Sequence, residues 1–186
     1  IRMLIASGCF LLFGKKLLQF RYEAGDWRWL VVMGIAEPCL YFLLETSALQ
    51  YTTAGQAGVI TATLPLLASV AAFLILKERI GKPQITGFII AILGCSGLSM
   101  AAQNGEHASN PLLGNTLEFL AMICGAVYST SIRKLSTRYS ALVLTSFQAF
   151  VGVIFFGPLA LQHDMPANIP LFQWGNFVYL ATIVTI

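Results

Sequence analysis

The sequence predicts an all-α polytopic membrane protein, and three observations carry that reading. Hydrophobic residues fill 57% of the 186 positions and charged residues only 10%, against about 25% charged in an ordinary soluble domain. So few charges cannot coat a water-facing surface. Seven apolar segments approach the roughly 20 residues a helix needs to cross a bilayer. Lysine and arginine cluster in alternate connections between those segments. The competing class is a soluble all-α protein with deeply buried helices. The length and number of the apolar runs argue against it.

The spans are placed at about 1–14, 29–47, 54–76, 84–102, 112–131, 141–161 and 172–186. The first begins near Arg2 and leads into a connection carrying Lys15, Lys16, Arg21 and Arg28. Trp27 and Trp29 flank the second span at its inner edge, an interface position for indole rings. The third is the most apolar and holds Pro65 near its centre. Lys77, Arg79 and Lys82 separate it from the fourth span. The polar stretch "QNGEHASNP" then leads to the fifth, and Arg133, Lys134 and Arg138 follow. "QHDMPANIP" separates the sixth span from the seventh, which Trp174 flanks at the outer edge and which runs to the last residue. The chain opens on Ile1 and closes inside an apolar run, so the expectation is the middle of a longer protein.

Ten of the eleven basic residues lie in the first, third and fifth connections. Positive residues stay on the cytoplasmic side, so these connections are assigned to the cytoplasm. The net charge of +3 is therefore an orientation signal and no argument for nucleic-acid binding. His107 and His163 fall in the outer loops as solvated side chains. Cys9, Cys39, Cys95 and Cys124 occur singly, which suits packing rather than a disulfide frame or a zinc site.

Lipid is as apolar as leucine, so close backbone packing must hold the helices together, and small residues permit it. Three series at a spacing of four keep to one helical face each. They are Ala54, Gly58 and Ala62; Gly87, Ala91, Cys95 and Ser99; and Ala121, Gly125 and Ser129. The second series is the least attributable to chance, and all three are expected at helix–helix contacts.

From Ala48 to Gly94 the chain carries an ordered pattern: Ala48, Leu49, Tyr51 and Thr52, the small residues Ala54 and Ala57, the mid-span Pro65, Glu78 with Arg79, then Gly87 and Gly94. This pattern resembles the EamA family of the drug/metabolite transporter superfamily. The resemblance implies a ten-helix bundle of two inverted five-helix repeats around a central cavity, of which the chain is a fragment covering helices two to eight. Residues 1–102 would supply helices two to five of the first repeat, and 103–186 helices six to eight of the second. It implies a secondary transporter working by alternating access, exporting small organic, amino-acid-like metabolites across a bacterial inner membrane.

The residues themselves suggest where a substrate sits. Proline lacks an N–H and clashes with the carbonyl four residues back, so Pro65 is expected to kink the third span and strand the Thr61 carbonyl near the midplane. Interrupted helices at that depth are where secondary transporters place their sites. Thr61, Thr63 and Pro65 are therefore candidate substrate-binding residues. The alternative is a purely structural kink repaired by a threonine hydroxyl. Carboxyl groups inside a membrane are costly and invite a functional reading. Glu37, followed by Pro38, is the deepest and the first candidate to titrate a proton or bind a substrate amine. Glu118 is the second. Glu45, near the outer mouth, is expected to reach water. Tyr41, Gln148 and Tyr179 are polar groups that suit either a cavity wall or packing. Glu78 and Arg79 belong to the helix end rather than to a substrate site.

No phosphate-binding G-x-x-x-x-G-K-[ST] run occurs, so the expected driving force is an ion gradient, with proton coupling the candidate. No cofactor or metal is implied. The partners are a small-molecule substrate and the lipid bilayer, and oligomeric state is not legible. The rivals are an integral-membrane enzyme acting on a lipid-linked substrate and a seven-span receptor. The enzyme would need a nucleophile with its base or a metal cluster near the interface, and no such constellation stands out.

Overall fold

A computed structural model describes residues 7, 8, 10, 23, 25–79, 81–102 and 109–161. Most of the span placed at 1–14, all of that at 172–186, and Arg2, Cys9, Lys15, Lys16, Arg21, His107, His163, Trp174 and Tyr179 lie outside the described residues. Within them the chain is helical, and four helices are long and apolar enough to cross a membrane: Trp27–Ala48, Ala54–Leu76, Pro111–Leu135 and Ala141–Ala160.

The first is built in three pieces. Helix α1, Trp27–Gly34, passes into a π-helical segment, Ile35–Tyr41, and then into α2, Phe42–Ala48. Pro38 lies inside the π segment and explains it. An α turn there would need the missing N–H of residue 38 on the carbonyl of Gly34. A π turn reaches back five residues instead of four, so it steps over the missing donor. The Cys39 thiol also lies 3.5 Å from the Gly34 carbonyl.

The second span is two helices rather than the single kinked one expected. Helix α3 runs Ala54–Thr61 and α4 runs Leu64–Leu76, with a turn at Ala62 and Thr63. Pro65 falls in the first turn of α4, where an N–H would find no helical acceptor and a fixed φ helps. The Thr53 side chain caps α3 by accepting from the Gln56 N–H at 3.2 Å. At the other end Lys77 adopts a left-handed conformation, φ 56°, which stops α4 ahead of Glu78 and Arg79.

Helix α5, Lys82–Ala102, occupies the fourth expected span. Helix α6, Pro111–Leu135, starts on Asn110, whose side chain accepts from the Leu113 N–H at 3.3 Å. Arg133 and Lys134 fill its last turn, where cations complement the helix dipole. Helix α7 is Ala141–Leu161.

The chain forms two compact units, residues 1–39 with 132–186 and residues 40–131. In the first, α1 packs on α7. A side chain at Gly34 would meet Phe147 and Val151 at 3.3 Å, and Met33, Leu144 and Ala149 are buried. At the end of α1 toward the basic connections, Arg138 holds both carboxylate oxygens of buried Asp26 at 2.9 and 3.0 Å. The Tyr139 hydroxyl donates to the same carboxylate at 3.0 Å, and Lys134 lies 4.1 Å over the Trp29 ring.

In the second unit α3 and α4 pack on α5. Here the small-residue expectation is only partly met. Gly58 and Gly87 have no neighbouring atom within 4 Å of where a side chain would begin, so neither marks a tight crossing in the described structure. The side chains of Ala91, Cys95 and Ser99 lie outside the described set. The α6 series behaves as expected: Ala121 is fully buried, and Gly125 lies against Leu64 and the Tyr41 ring.

Candidate functional site

The site grows from the break in the Ala54–Leu76 span. Thr61 ends α3, seven residues and so about 10 Å below its start at 1.5 Å per residue. Glu118 lies seven residues below the start of α6, at a matching depth of about 10 Å. The Thr61 Oγ1 meets Glu118 Oε1 at 2.9 Å. Glu118 is 1% exposed, and its second oxygen, Oε2, is buried with no hydrogen-bond partner among the described residues.

Thr61 Oγ1 also lies 3.0 Å from the Ala57 carbonyl. One hydroxyl proton cannot serve two acceptors. If Glu118 carries a proton, it donates to Thr61 while Thr61 donates to Ala57, and both bonds are made. If Glu118 is ionised, the hydroxyl turns to the carboxylate, and the Ala57 carbonyl loses only this extra bond. The pair therefore accepts either protonation state by one hydroxyl rotation.

Tyr41 closes the π segment, and its hydroxyl donates to Glu45 Oε1 at 3.0 Å. Its ring lies beside Gly125, where an added Cβ would sit 3.5 Å from two ring carbons. Glu45 is half-buried. One turn outward from Glu118, Asn115 Oδ1 lies 2.6 Å from the Thr52 hydroxyl, which also reaches Gln56 at 2.9 Å.

The structure thus brings Thr61 and Glu118 together and sets the Tyr41 ring beside Gly125 of α6, the helix that carries Glu118. Thr63 is spent on its own backbone, donating to the Ile60 carbonyl at 2.6 Å. Pro65 is exposed at the start of α4 and makes the break without joining the pair. Glu37 lies half-buried in the π segment, in the other compact unit. Gln148 is half-buried on α7. Sequence reasoning took Thr52 only as part of the family pattern and passed over Gln56 and Asn115, although Asn115 stands three residues before Glu118 and so shares its helical face. Among the described residues no group of three or more His, Cys, Asp or Glu side chains is arranged to hold a metal.

Comparison with known proteins agrees with the family resemblance. The EamA-like transporter family matches residues 1–100. The uncharacterized transporter YetK of Bacillus subtilis (strain 168) is 29% identical over 197 residues, covering 100% of this chain and 58% of the relative. The uncharacterized transporter YcxC of the same organism is 29% identical over 152 residues, covering 81% of this chain and 47% of the relative. A probable terminal-alkyne amino-acid exporter of Streptantibioticus cattleyicolor is 24% identical over 184 residues, covering 98% of this chain and 60% of the relative. The chain thus spans between 47% and 60% of the length of these relatives. No solved structure matches it. The family match spans more than half of the chain and favours the transporter reading over the lipid-enzyme alternative: this chain belongs to the EamA-like transporter family, a family of multi-pass membrane transporters.

Proposed function

We propose that the chain is part of a secondary transporter that exports small organic, amino-acid-like metabolites by alternating access across a bacterial inner membrane. In the complete protein, residues 1–102 belong to the first of two inverted five-helix repeats and 103–186 to the second. Substrate and coupling proton share a site containing Glu118, Thr61 and Tyr41, with the break at Thr63 and Pro65 giving the bend; Glu37 is a separate candidate carboxyl. The observation that carries this reading is Glu118: a carboxyl sealed in a membrane helix, held by one threonine, with one oxygen left for a ligand. Intramembrane carboxyls are costly unless they serve a substrate or proton path. The amino-acid preference is supported by the distant exporter named above.

The test is counterflow of a labelled amino acid by the full-length protein in liposomes, measured across external pH. Glu118→Gln keeps the shape and loses the titratable proton, so it should remove the pH dependence of transport while the protein still inserts. Transport by Glu118→Gln with an unchanged pH profile would exclude Glu118 from the mechanism. Labelled substrate chemically altered but not moved would exclude transport.

A further inference from the structure

Above the Thr61–Glu118 pair, at the end away from the basic connections, α3 and α6 are fastened together. The Thr52 hydroxyl, on a buried side chain, lies 2.6 Å from Asn115 Oδ1 and 2.9 Å from Gln56 Oε1. A hydroxyl has one proton to give, so one of these amides turns its NH2 to Thr52 and the other its oxygen. Two more bonds cross at this level. The Asn110 N–H donates to the Tyr51 carbonyl at 3.2 Å, and the Ser109 hydroxyl to the Gln50 carbonyl at 3.2 Å. A Cβ on Gly114 would sit 2.7 Å from the Thr52 N and Cβ, so the two backbones touch there. Asn115 stands three residues, about 4.5 Å, above Glu118 on one helical face. Glu118 beneath it is 1% exposed.

The clasp is attached to a short, separable rod. Helix α3 has 8 residues and stops at Ala62 and Thr63 instead of running on into α4. The clasp is at one end of this rod and the break at the other. A pivot of about 20° at the break carries the far end of a rod about 12 Å long through about 4 Å, which parts every bond of the clasp. Those bonds are few and polar, and Ser109 and Asn110 are exposed, so water can replace them as they part.

We propose that this clasp is the outer gate of the transporter, with Thr52, Gln56 and Asn115 as its latch and the turn at Ala62 and Thr63 as its hinge, shut here over Glu118. The inference rests on the transporter reading and adds to it the residues past which substrate leaves the Glu118 site. Opening swings α3 from α6, draws the Thr61 hydroxyl off Glu118 and admits water to the carboxyl. One movement then governs both substrate release and proton exchange on the outer side.

A cross-link in the full-length protein in liposomes tests this. Thr52→Cys together with Asn115→Cys puts two thiols where the side chains now touch, and an oxidant should join them. Counterflow of labelled amino acid should stop on oxidation and return with reductant, while either single variant ignores the oxidant. A contact that never opens tolerates being made covalent, so counterflow that continues with the bridge formed overturns the inference. Should the bridge fail to form, Thr52→Val decides, because it keeps the shape and removes the hydroxyl. Ala57 is buried one turn above Thr61 on the same face of α3, below the clasp. Thr52→Val should speed the labelling of Ala57→Cys by an external, membrane-impermeant thiol reagent about fivefold, the weight of one hydrogen bond. An unchanged labelling rate overturns the inference. Counterflow that survives the bridge removes the gate alone, whereas no counterflow by the unsubstituted protein removes the transporter reading and the gate with it.

Discussion

Gly114 gives a test in which the structure fixes the magnitude. It opens the second turn-face of α6, four residues after Asn110, and lies against the turn that joins the two spans before it. A Cβ built on Gly114 would sit 2.7 Å from both the backbone N and the Cβ of Thr52, and 2.9 Å from the Tyr51 carbonyl carbon. Carbon atoms pack at about 3.5–4.0 Å, so Gly114→Ala requires α6 or the turn to retreat by about 1 Å. Backbone cannot swing aside as a side-chain tip can. The retreat stretches the Thr52–Asn115 bond of 2.6 Å and the Asn110 N–H to Tyr51 carbonyl bond of 3.2 Å. Overpacking costs about 1–3 kcal/mol and the two loosened hydrogen bonds about 1 kcal/mol each, together about 3–5 kcal/mol. At about 2–4 °C per kcal/mol that corresponds to a fall in apparent Tm of roughly 6–20 °C. The controls are internal. Gly34→Ala meets only side-chain atoms at 3.3 Å and should shift little. Gly58→Ala meets nothing within 4 Å and should be neutral or gain up to about 1 kcal/mol from helix propensity. The assay is thermal unfolding of the purified full-length protein followed by exposure of its buried thiols. A Gly114→Ala Tm within 2 °C or so of Gly58→Ala would refute the close-approach argument.

Two further substitutions have a stated sign. Arg138→Gln leaves the Asp26 carboxylate buried with only the Tyr139 hydroxyl, whereas Asp26→Asn leaves Arg138, 48% exposed, still paired with Glu23 at 3.1 Å and open to water; thermal melts should therefore rank Arg138→Gln as the more damaging, with the double variant recovering part of the loss. Lys77→Gly removes the cost of a left-handed L-residue and should raise stability by about 1 kcal/mol, read as a higher Tm; a drop would show that the lysine side chain holds the helix end by another contact.

Bilayer thickness made most of the fold legible. Spans expected at 29–47, 54–76, 112–131 and 141–161 appear as Trp27–Ala48, Ala54–Leu76, Pro111–Leu135 and Ala141–Leu161. A length requirement acts on each segment alone, so a single sequence displays it. What depends on two distant segments meeting was not legible. Asp26 and Arg138 are separated by 112 positions, and Thr61 and Glu118 by 57. Glu118 was found because a carboxylate in an apolar run is conspicuous by itself. Glu45, expected to reach water near the span end, is half-buried and accepts from the Tyr41 hydroxyl one turn inward, a contact that a single sequence does not display. The small-residue faces were legible only in part for the same reason: spacing of four defines a face but not what it meets, so Gly125 lies against Leu64 and Tyr41 while Gly58 and Gly87 have no described neighbour within 4 Å of an added Cβ.

The two interrupted spans show how one residue type gives different backbones. Both Pro38 and Pro65 delete a donor in a setting where lipid offers none. Around Pro38 the chain keeps its helical path by widening one turn, and the Cys39 thiol lies near the freed Gly34 carbonyl. Around Pro65 the preceding residues are Thr61, Ala62 and Thr63, and a hydroxyl is available to close a helix end: Thr63 donates to Ile60 at 2.6 Å. The Leu67 N–H then restarts the ladder on the Thr63 carbonyl at 3.0 Å. With the end sealed by Thr63, α3 can stop at Thr61 instead of bending through it, and the Thr61 hydroxyl is left at the terminus facing Glu118 at equal depth. The polar pair in the membrane is thus a consequence of where a second threonine stands.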